Sequence, residues 1–262
     1  SIYSKRTFKN HVFICLIIIV LILLVASIFG VRDLFAAYIT VTILLIYIVI
    51  TFLKDQKIKK TLARLANSRK ELALVVGASY SPCDFSEIPM LRNIAPMQIE
   101  NGRNKQIMGY IDAGEWQYFD YSHNYYRQLR GIKFLAGTVY YGVIFSKLPC
   151  NLPNVFFDSK KTRGRQFRFT FSRKQLYKFE GNFNKYFSAY TPENFTKDSL
   201  SFINQDVMEA LIDASEYDIE IVSDMICLYG PIYTESKDII LMSQKLAQIK
   251  HQLLKNTLTH RN

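Results

Sequence analysis

Few residues in this chain carry the chemistry of a catalytic or metal site. His123 stands in Phe119-Asp120-Tyr121-Ser122-His123-Asn124, close in sequence to an acid and a hydroxyl. General acid–base or nucleophilic work needs such groups to converge in space. Alternate residues of a strand face opposite sides, so sequence neighbours alone make no triad. A His–Asn pair after an aromatic strand is more often a turn. His251 and His260 sit near the C-terminus, away from any such cluster. Asp218 and Glu220 share one predicted strand face, with Asp224 in a predicted turn. Paired carboxylates can bind a cation, but metal sites usually gather ligands from several segments, and a solvated strand face is favoured. Cys15, Cys83, Cys150 and Cys227 are far apart and form no C-x-x-C pair, so free thiols are expected rather than zinc or disulfides. Walker and Rossmann glycine loops, H-E-x-x-H and G-x-S-x-G are absent. No catalytic residue, metal or cofactor is assigned, and an enzyme is the disfavoured class.

The sharper feature is basic. Lys160, Lys161, Arg163, Arg165, Arg168, Arg173, Lys174 and Lys178 fall in one stretch, and residues 160–178 contain no acid between Lys160 and Lys178. Phe167, Phe169 and Phe171 alternate within it, which predicts a strand with its aromatic face turned inward and Arg168 outward. Three readings compete. The charges protect a sheet edge from pairing with another chain, they touch anionic lipid headgroups, or they bind nucleic acid. Edge protection is favoured and nucleic acid disfavoured, because aromatics at period two are more often core than base-stacking platforms. In the lipid reading the contact residues are Lys57, Lys59, Lys60, Arg163, Arg165, Arg168 and Arg173.

The elements that hold these residues begin with two apolar runs, Val12 to Gly30 and Phe35 to Leu53, without a charged residue in either. Each has the length of a bilayer span. Lys5, Arg6 and Lys9 precede the first, and Lys54, Lys57, Lys59, Lys60, Arg64, Arg69 and Lys70 follow the second. The positive-inside rule then places both flanks inside, with residues 1–53 as a transmembrane helical hairpin. The predicted localisation is the inner cell membrane, multi-pass, with cytoplasmic N- and C-termini. The chain carries a net charge of +11, much of it beside this hairpin. Residues 54–72 read as a basic juxtamembrane helix, with Ile58, Leu62, Leu65 and Leu72 on one side.

Residues 73–234 read as an α+β cytoplasmic domain. Strands are predicted over 73–80, 107–111, 116–121, 133–147, 155–158 and 176–180, with 217–222 and 225–229 as a hairpin. Leu148-Pro149 is expected to close the long run. Trp116, Tyr118 and, at the same period, Asp120 share one face. Phe183 to Phe187 gives one helical turn, and Asn204 is a helix N-cap ahead of Val207, Met208, Leu211 and Ile212. Residues 235–262 carry a C-terminal helix with Ile239, Met242, Leu246, Ile249 and Leu253 at alternating spacings of three and four. Packing on its own domain is the favoured use of that seam, and a homodimer the runner-up. The fold class is α+β: an N-terminal two-helix transmembrane hairpin, then a mainly antiparallel β domain with a few helices and a C-terminal helix.

Three stretches carry a likeness: residues 101–121, Leu152-Pro153-Asn154-Val155-Phe156-Phe157, and Phe179 to Phe187 leading to Asp198-Ser199-Leu200 and Asp206 to Ile212. On these the chain resembles an uncharacterised family of bacterial membrane-anchored proteins, a domain of unknown function. Asn204-Gln205 stands where the family has a proline region. The resemblance covers about residues 65–235 and implies a cytoplasmic β-rich domain without assigned catalytic residues. The function expected is a membrane-anchored binding or scaffold module at the inner leaflet, with the bilayer and anionic headgroups as partners. The alternatives are an enzyme acting on a membrane-proximal substrate around His123 and Asp120, or a subunit of a larger membrane complex.

Overall fold

The computed structural model describes residues 34–81, 93–98, 102–129, 132–162, 171–192, 200–230 and 234–259, together with Val20. The chain divides into two compact units, Ser1–Leu65 and Ala66–Asn262. Helix α1 is 42 residues long, Leu34–Val75, and the first unit ends within it.

The expected transmembrane hairpin is corrected here. The run 12–30 lies outside the described residues except for Val20. The run 35–53 is not a bounded segment: it is the first part of α1, which continues unbroken through Lys54, Lys57 and Lys60. Among the described residues no helix is long and apolar enough to cross a membrane. The multi-pass membrane topology and the inner-membrane localisation are therefore withdrawn. Within the first unit, Ile43, Leu45, Ile46, Val49, Ile50 and Leu53 of α1 are exposed.

In the second unit α1 runs on to Val75, where a strand is predicted from Ala73. Its end is a Schellman cap. The Ala78 amide donates to the Ala73 carbonyl at 2.8 Å and the Gly77 amide to the Leu74 carbonyl at 3.3 Å. Gly77 takes the left-handed conformation this cap requires, with φ 66°. The apolar Leu72 and Ala73 thus belong to a helix that buries them, and the strand β1 is only Ser79–Ser81.

The remaining elements of the second unit follow in chain order. They are α2 (Ala95–Gln98), β2 (Gly102–Asp112), β3 (Gln117–Leu129), β4 (Ile132–Ser159), β5 (Leu176–Tyr177), α3 (Phe183–Tyr186), β6 (Phe187–Tyr190), α4 (Gln205–Asp213), β7 (Asp218–Tyr229) and α5 (Ser236–Thr259). The described strands form one antiparallel sheet of seven, in the order β1-β2-β3-β4-β6-β5, with β7 also on β4. The 28-residue β4 is its centre. Val143 to Phe145 pair with β3 on one edge and with β7 on the other, and Phe156 to Ser159 pair with β6. This is a mainly antiparallel α+β fold.

Two predicted breaks are kinks in continuous strands. Residues 217–229 are not a hairpin: β7 is a single strand of 12 residues, paired to β4 through most of its length. Nor does Pro149 end β4. The register shifts between Lys147 and Val155 of β4, opposite Ser223. Facing changes across this point. Ile219 and Ile221 share a core with Ile226 and Leu228, so odd positions before Ser223 and even positions after it point the same way. β4 changes phase in step, with Ile144 and then Val155 and Phe157 in that core. A one-residue slip turns every side chain to the other face, and here both strands change phase together, so each core keeps its apolar lining on both sides of the kink. Bulges also accommodate proline and positive φ, as at Pro149 and at Ser223 with φ 55°. The Asn154 carboxamide oxygen fastens the site by accepting from the Ser223 amide at 2.9 Å.

The sheet is buried on both faces. One carries the larger core, where α4, α5, the end of α1 and Phe183 of α3 cover Tyr118, Ile144, Phe157, Ile219 and Leu228. α4 starts at the predicted cap, with the Asn204 side chain accepting from the Val207 amide at 3.0 Å. Ile239, Met242, Leu246, Ile249 and Leu253 of α5 all lie in this core, so the seam is used within the domain. The second face carries Phe119, Tyr121, Tyr141, Phe145, Phe156, Cys227 and Tyr229, with Ile94 and Ala95 packed against them.

Gly142 sets how closely the first face is covered. A Cβ there would lie 2.3 Å from Thr234 Oγ1 and 2.6 Å from the Tyr118 hydroxyl. Gly142→Ala is expected to destabilise the second unit by about 1–3 kcal/mol through overpacking. A fall in the urea midpoint at unchanged slope checks this.

Candidate functional site

The polar groups of the second unit are divided between the two sheet faces. Strict alternation along β3 decides the division, because residues 117–125 pair with β4 without a bulge on β3. Tyr118 lies in the larger core, whereas Phe119 and Tyr121 lie in the smaller one. Asp120 therefore faces α1 and α5, while His123 faces the opposite side. The two residues expected to cooperate in the enzyme alternative are not brought together.

On the first face Arg69 of α1 is 1% exposed. Its Nε donates to Asp120 Oδ2 at 3.0 Å and its Nη2 to Asp120 Oδ1 at 3.2 Å, a bidentate ion pair. Nη2 also donates to the Thr234 carbonyl and, at 3.3 Å, to the Tyr118 hydroxyl. That hydroxyl in turn donates to Asp120 Oδ1 at 2.6 Å. The guanidinium carbon stands 5.2 Å from the centre of the Tyr118 ring. Beside it the Ser68 and Ser236 hydroxyls are 2.6 Å apart. Burial works against the Arg69 cation, but the Tyr118 hydroxyl and the Asp120 carboxylate outweigh it and raise its pKa. Burial and the nearby carboxylate also push the Tyr118 hydroxyl well above its usual range. The bonds from Arg69 to Asp120 and Tyr118 tie the end of α1 to the sheet, and those at Thr234 and Ser236 tie it to the approach and start of α5.

On the second face His123 is fully buried, with ring centroids 5.5 Å from Tyr121 and 6.1 Å from Tyr141. Neither of its nitrogens has a hydrogen-bond partner among the described residues. Burial first, and Lys105 beside it second, lower its pKa from 6.5 to about 4. The imidazole is neutral at pH 7, and among the described residues no carboxylate orients it as in a histidine–acid general base.

Asp218 and Glu220 of β7 are not solvated, contrary to expectation, and Asp224 is half-buried within the same continuous strand. Asp218 is fully buried and accepts from the Ser159 amide at 2.9 Å and the Thr162 hydroxyl at 2.5 Å, holding the end of β4. Glu220 lies in the smaller core. Its Oε2 and Oε1 are 2.9 and 3.2 Å from the Ala95 amide, which donates to them, and Oε2 also accepts from the Tyr229 hydroxyl. Burial raises its pKa from 4.5 to about 7, against the opposing pull of Tyr229 and Ala95. The buried Cys227 thiol is pushed well above its ordinary value by burial and by Glu220. Cys150 and Cys227 are free, and no group of three or more potential metal ligands occurs among the described residues.

Of the residues predicted to meet lipid, Lys57, Lys59, Lys60 and Arg173 lie among the described residues. Lys57 and Lys60 are exposed on α1 in the first unit, and Lys59 lies on the same helix. Arg173 is in a short 3-10 turn, Arg173–Gln175, in the second unit. Arg163, Arg165 and Arg168 lie outside the described residues, as do Phe167 and Phe169. Phe171 is turned inward, stacked on Phe156 at 4.9 Å and Tyr190 at 5.1 Å.

Arg69 was assigned to the basic juxtamembrane row and is instead a buried anchor. Its position carried a signal: it falls between Leu65 and Leu72 at spacings of four and three, on the apolar stripe rather than opposite it. Glu220 carried one as well. It sits among Ile219, Ile221 and Val222, and a strand apolar on both faces leaves no solvated side for an acid.

No family model and no curated protein matches the chain. Among solved structures, the mycobacterial trehalose monomycolate transport factor A, TtfA, is similar at 9% identity with a TM-score of 0.45. That likeness covers 72% of this chain and 94% of the other, and at that score it bears on neither fold nor function.

Two outcomes follow from this geometry. Asp120→Asn leaves the Arg69 charge buried without its counter-ion, and a loss of about 3–5 kcal/mol is expected in denaturant unfolding. For His123, the folded state binds fewer protons than the unfolded state between about pH 4 and 6.5. The contribution of His123 to stability therefore rises with pH across that window and is lost as pH falls through it. His123→Phe should remove this contribution alone, read as a thermal midpoint that gains on that of the unaltered chain as pH falls from about 6.5 to about 4.

Proposed function

We propose that the chain is a non-catalytic binding or scaffold module. The observation that carries this reading is the placement of Asp120 and His123 on opposite faces of β3, with the carboxylate held by Arg69 and Tyr118. Catalysis requires groups within reach of one reacting atom, about 3 Å from each. Here the buried polar groups with known partners are engaged at seams between elements: Arg69 and Asp120 at the end of α1, Asp218 at the end of β4, Glu220 under Ala95.

A second observation favours binding. Large apolar side chains of α1 between Ile43 and Leu53 are exposed within the chain, and extended exposed apolar surface marks an interaction site.

Complementation in cells lacking the gene tests the reading. The chain carrying His123→Phe should restore function to the level of the unaltered chain. The chain carrying Ile46→Asp and Val49→Asp should not, although its second unit remains folded. Restoration by the α1 variant together with failure of His123→Phe would point to chemistry at the histidine and reject the scaffold reading.

A further inference from the structure

We propose that Glu220 is a proton-operated latch that seats the Asn93–Gln98 segment on the second face of the sheet. The latch is independent of the binding role argued above.

The seat is apolar. Ile94 is fully buried and Ala95 is 2% exposed, packed in the core that holds Phe156, Cys227 and Tyr229. Within that core the described polar bond from this segment to the sheet is the Ala95 amide on the Glu220 carboxyl, reached by both oxygens. The groups that face the carboxyl can be named from each packed element. β7 contributes the Tyr229 hydroxyl and the Cys227 thiol, the covering segment contributes the Ala95 amide, and β4 contributes the Phe156 ring. No cationic side chain among the described residues compensates the carboxylate. Among the described residues the ionised form gains the Ala95 and Tyr229 donors in place of its hydration, a poor exchange for a buried charge.

Lifting the segment lets water reach Glu220. In the seated state the carboxyl titrates at about 7, and once the segment lifts and admits water it shifts back toward its ordinary value of 4.5. The seated form thus holds a proton that the lifted form releases, so acid seats the segment and alkali lifts it. Two-state linkage between those limits makes the seating equilibrium fall by up to about 40-fold from pH 5 to pH 7, and by about twofold further above pH 7. The charge-assisted bond from Ala95 to the ionised carboxylate moderates the fall without reversing it, because it already acts in the seated state.

Hydrogen exchange of the full chain, followed by mass spectrometry and divided by intrinsic amide rates at each pH, reads the latch directly. Peptides covering residues 94–98 should lose protection by up to about 40-fold between pH 5 and pH 7, whereas peptides from Ile144 to Phe157 should hold theirs. In Glu220→Gln the 94–98 response should vanish. An unchanged response in Glu220→Gln, or none in the unaltered chain, would overturn the proposal. Should Glu220→Gln fail to fold, two measurements keep the test open. Tyr229→Phe removes a donor to the carboxylate and should move the exchange midpoint to higher pH. The infrared band of the buried carboxylic acid in the unaltered chain should disappear with a midpoint near 7, and a midpoint near 4.5 would overturn the latch.

Discussion

A buried ion pair between α1 and β3 ties the second unit together. Arg69 leaves water at the end of a long helix and meets Asp120 on the third strand, and their bond is closed off by Tyr118 and the Thr234 carbonyl. A buried charge is tolerable only when it is paired and hydrogen-bonded, so the pair dictates where α1, β3 and the approach to α5 must lie. Gly142 stands opposite Asp120 on β4 and is bare of a side chain where this cluster presses on the sheet. The ion pair contributes less through net attraction than through the penalty of any arrangement in which one partner is buried alone.

The central strand imposes the second constraint. β4 is long enough to pair with β3, β6 and β7 in succession, and it changes facing once, opposite the matching change in β7. That coupled kink keeps apolar side chains on both faces throughout, and so it is why the sheet can bury two cores. Acids on such strands have no solvent side. Asp218 resolves this by holding the end of β4, and Glu220 resolves it by holding a covering segment at the cost of a raised pKa.

Legibility in the sequence followed periodicity. The C-terminal helix and its buried seam, the Asn204 cap, the turn at Phe183 and the aromatic β3 could be read because local pattern and tertiary role agree. Ser223-Asp224 and Leu148-Pro149 misled because turn-forming residues also build bulges, and only the partner strand distinguishes the two. Residues 73–75 read as strand because alternation over so few positions cannot separate a helix end from a strand. The polar sites were hidden for a different reason. Arg69 and Asp120 are 51 positions apart and Glu220 is 125 positions from Ala95, so their pairing is a property of topology. The apolar run of α1 was read as one half of a bounded hairpin, and it is the first part of a helix that ends inside the second unit.

The central claim is that Arg69 and Asp120 act as one unit, and a double-mutant cycle in denaturant unfolding tests it most directly. Arg69→Met introduced into the Asp120→Asn chain removes the stranded cation and leaves an apolar side chain in its place. The account predicts that the double variant is more stable than Asp120→Asn alone, because the larger part of that loss is an uncompensated charge rather than a missing contact. Losses that simply add, leaving the double variant the least stable of the set, would contradict it.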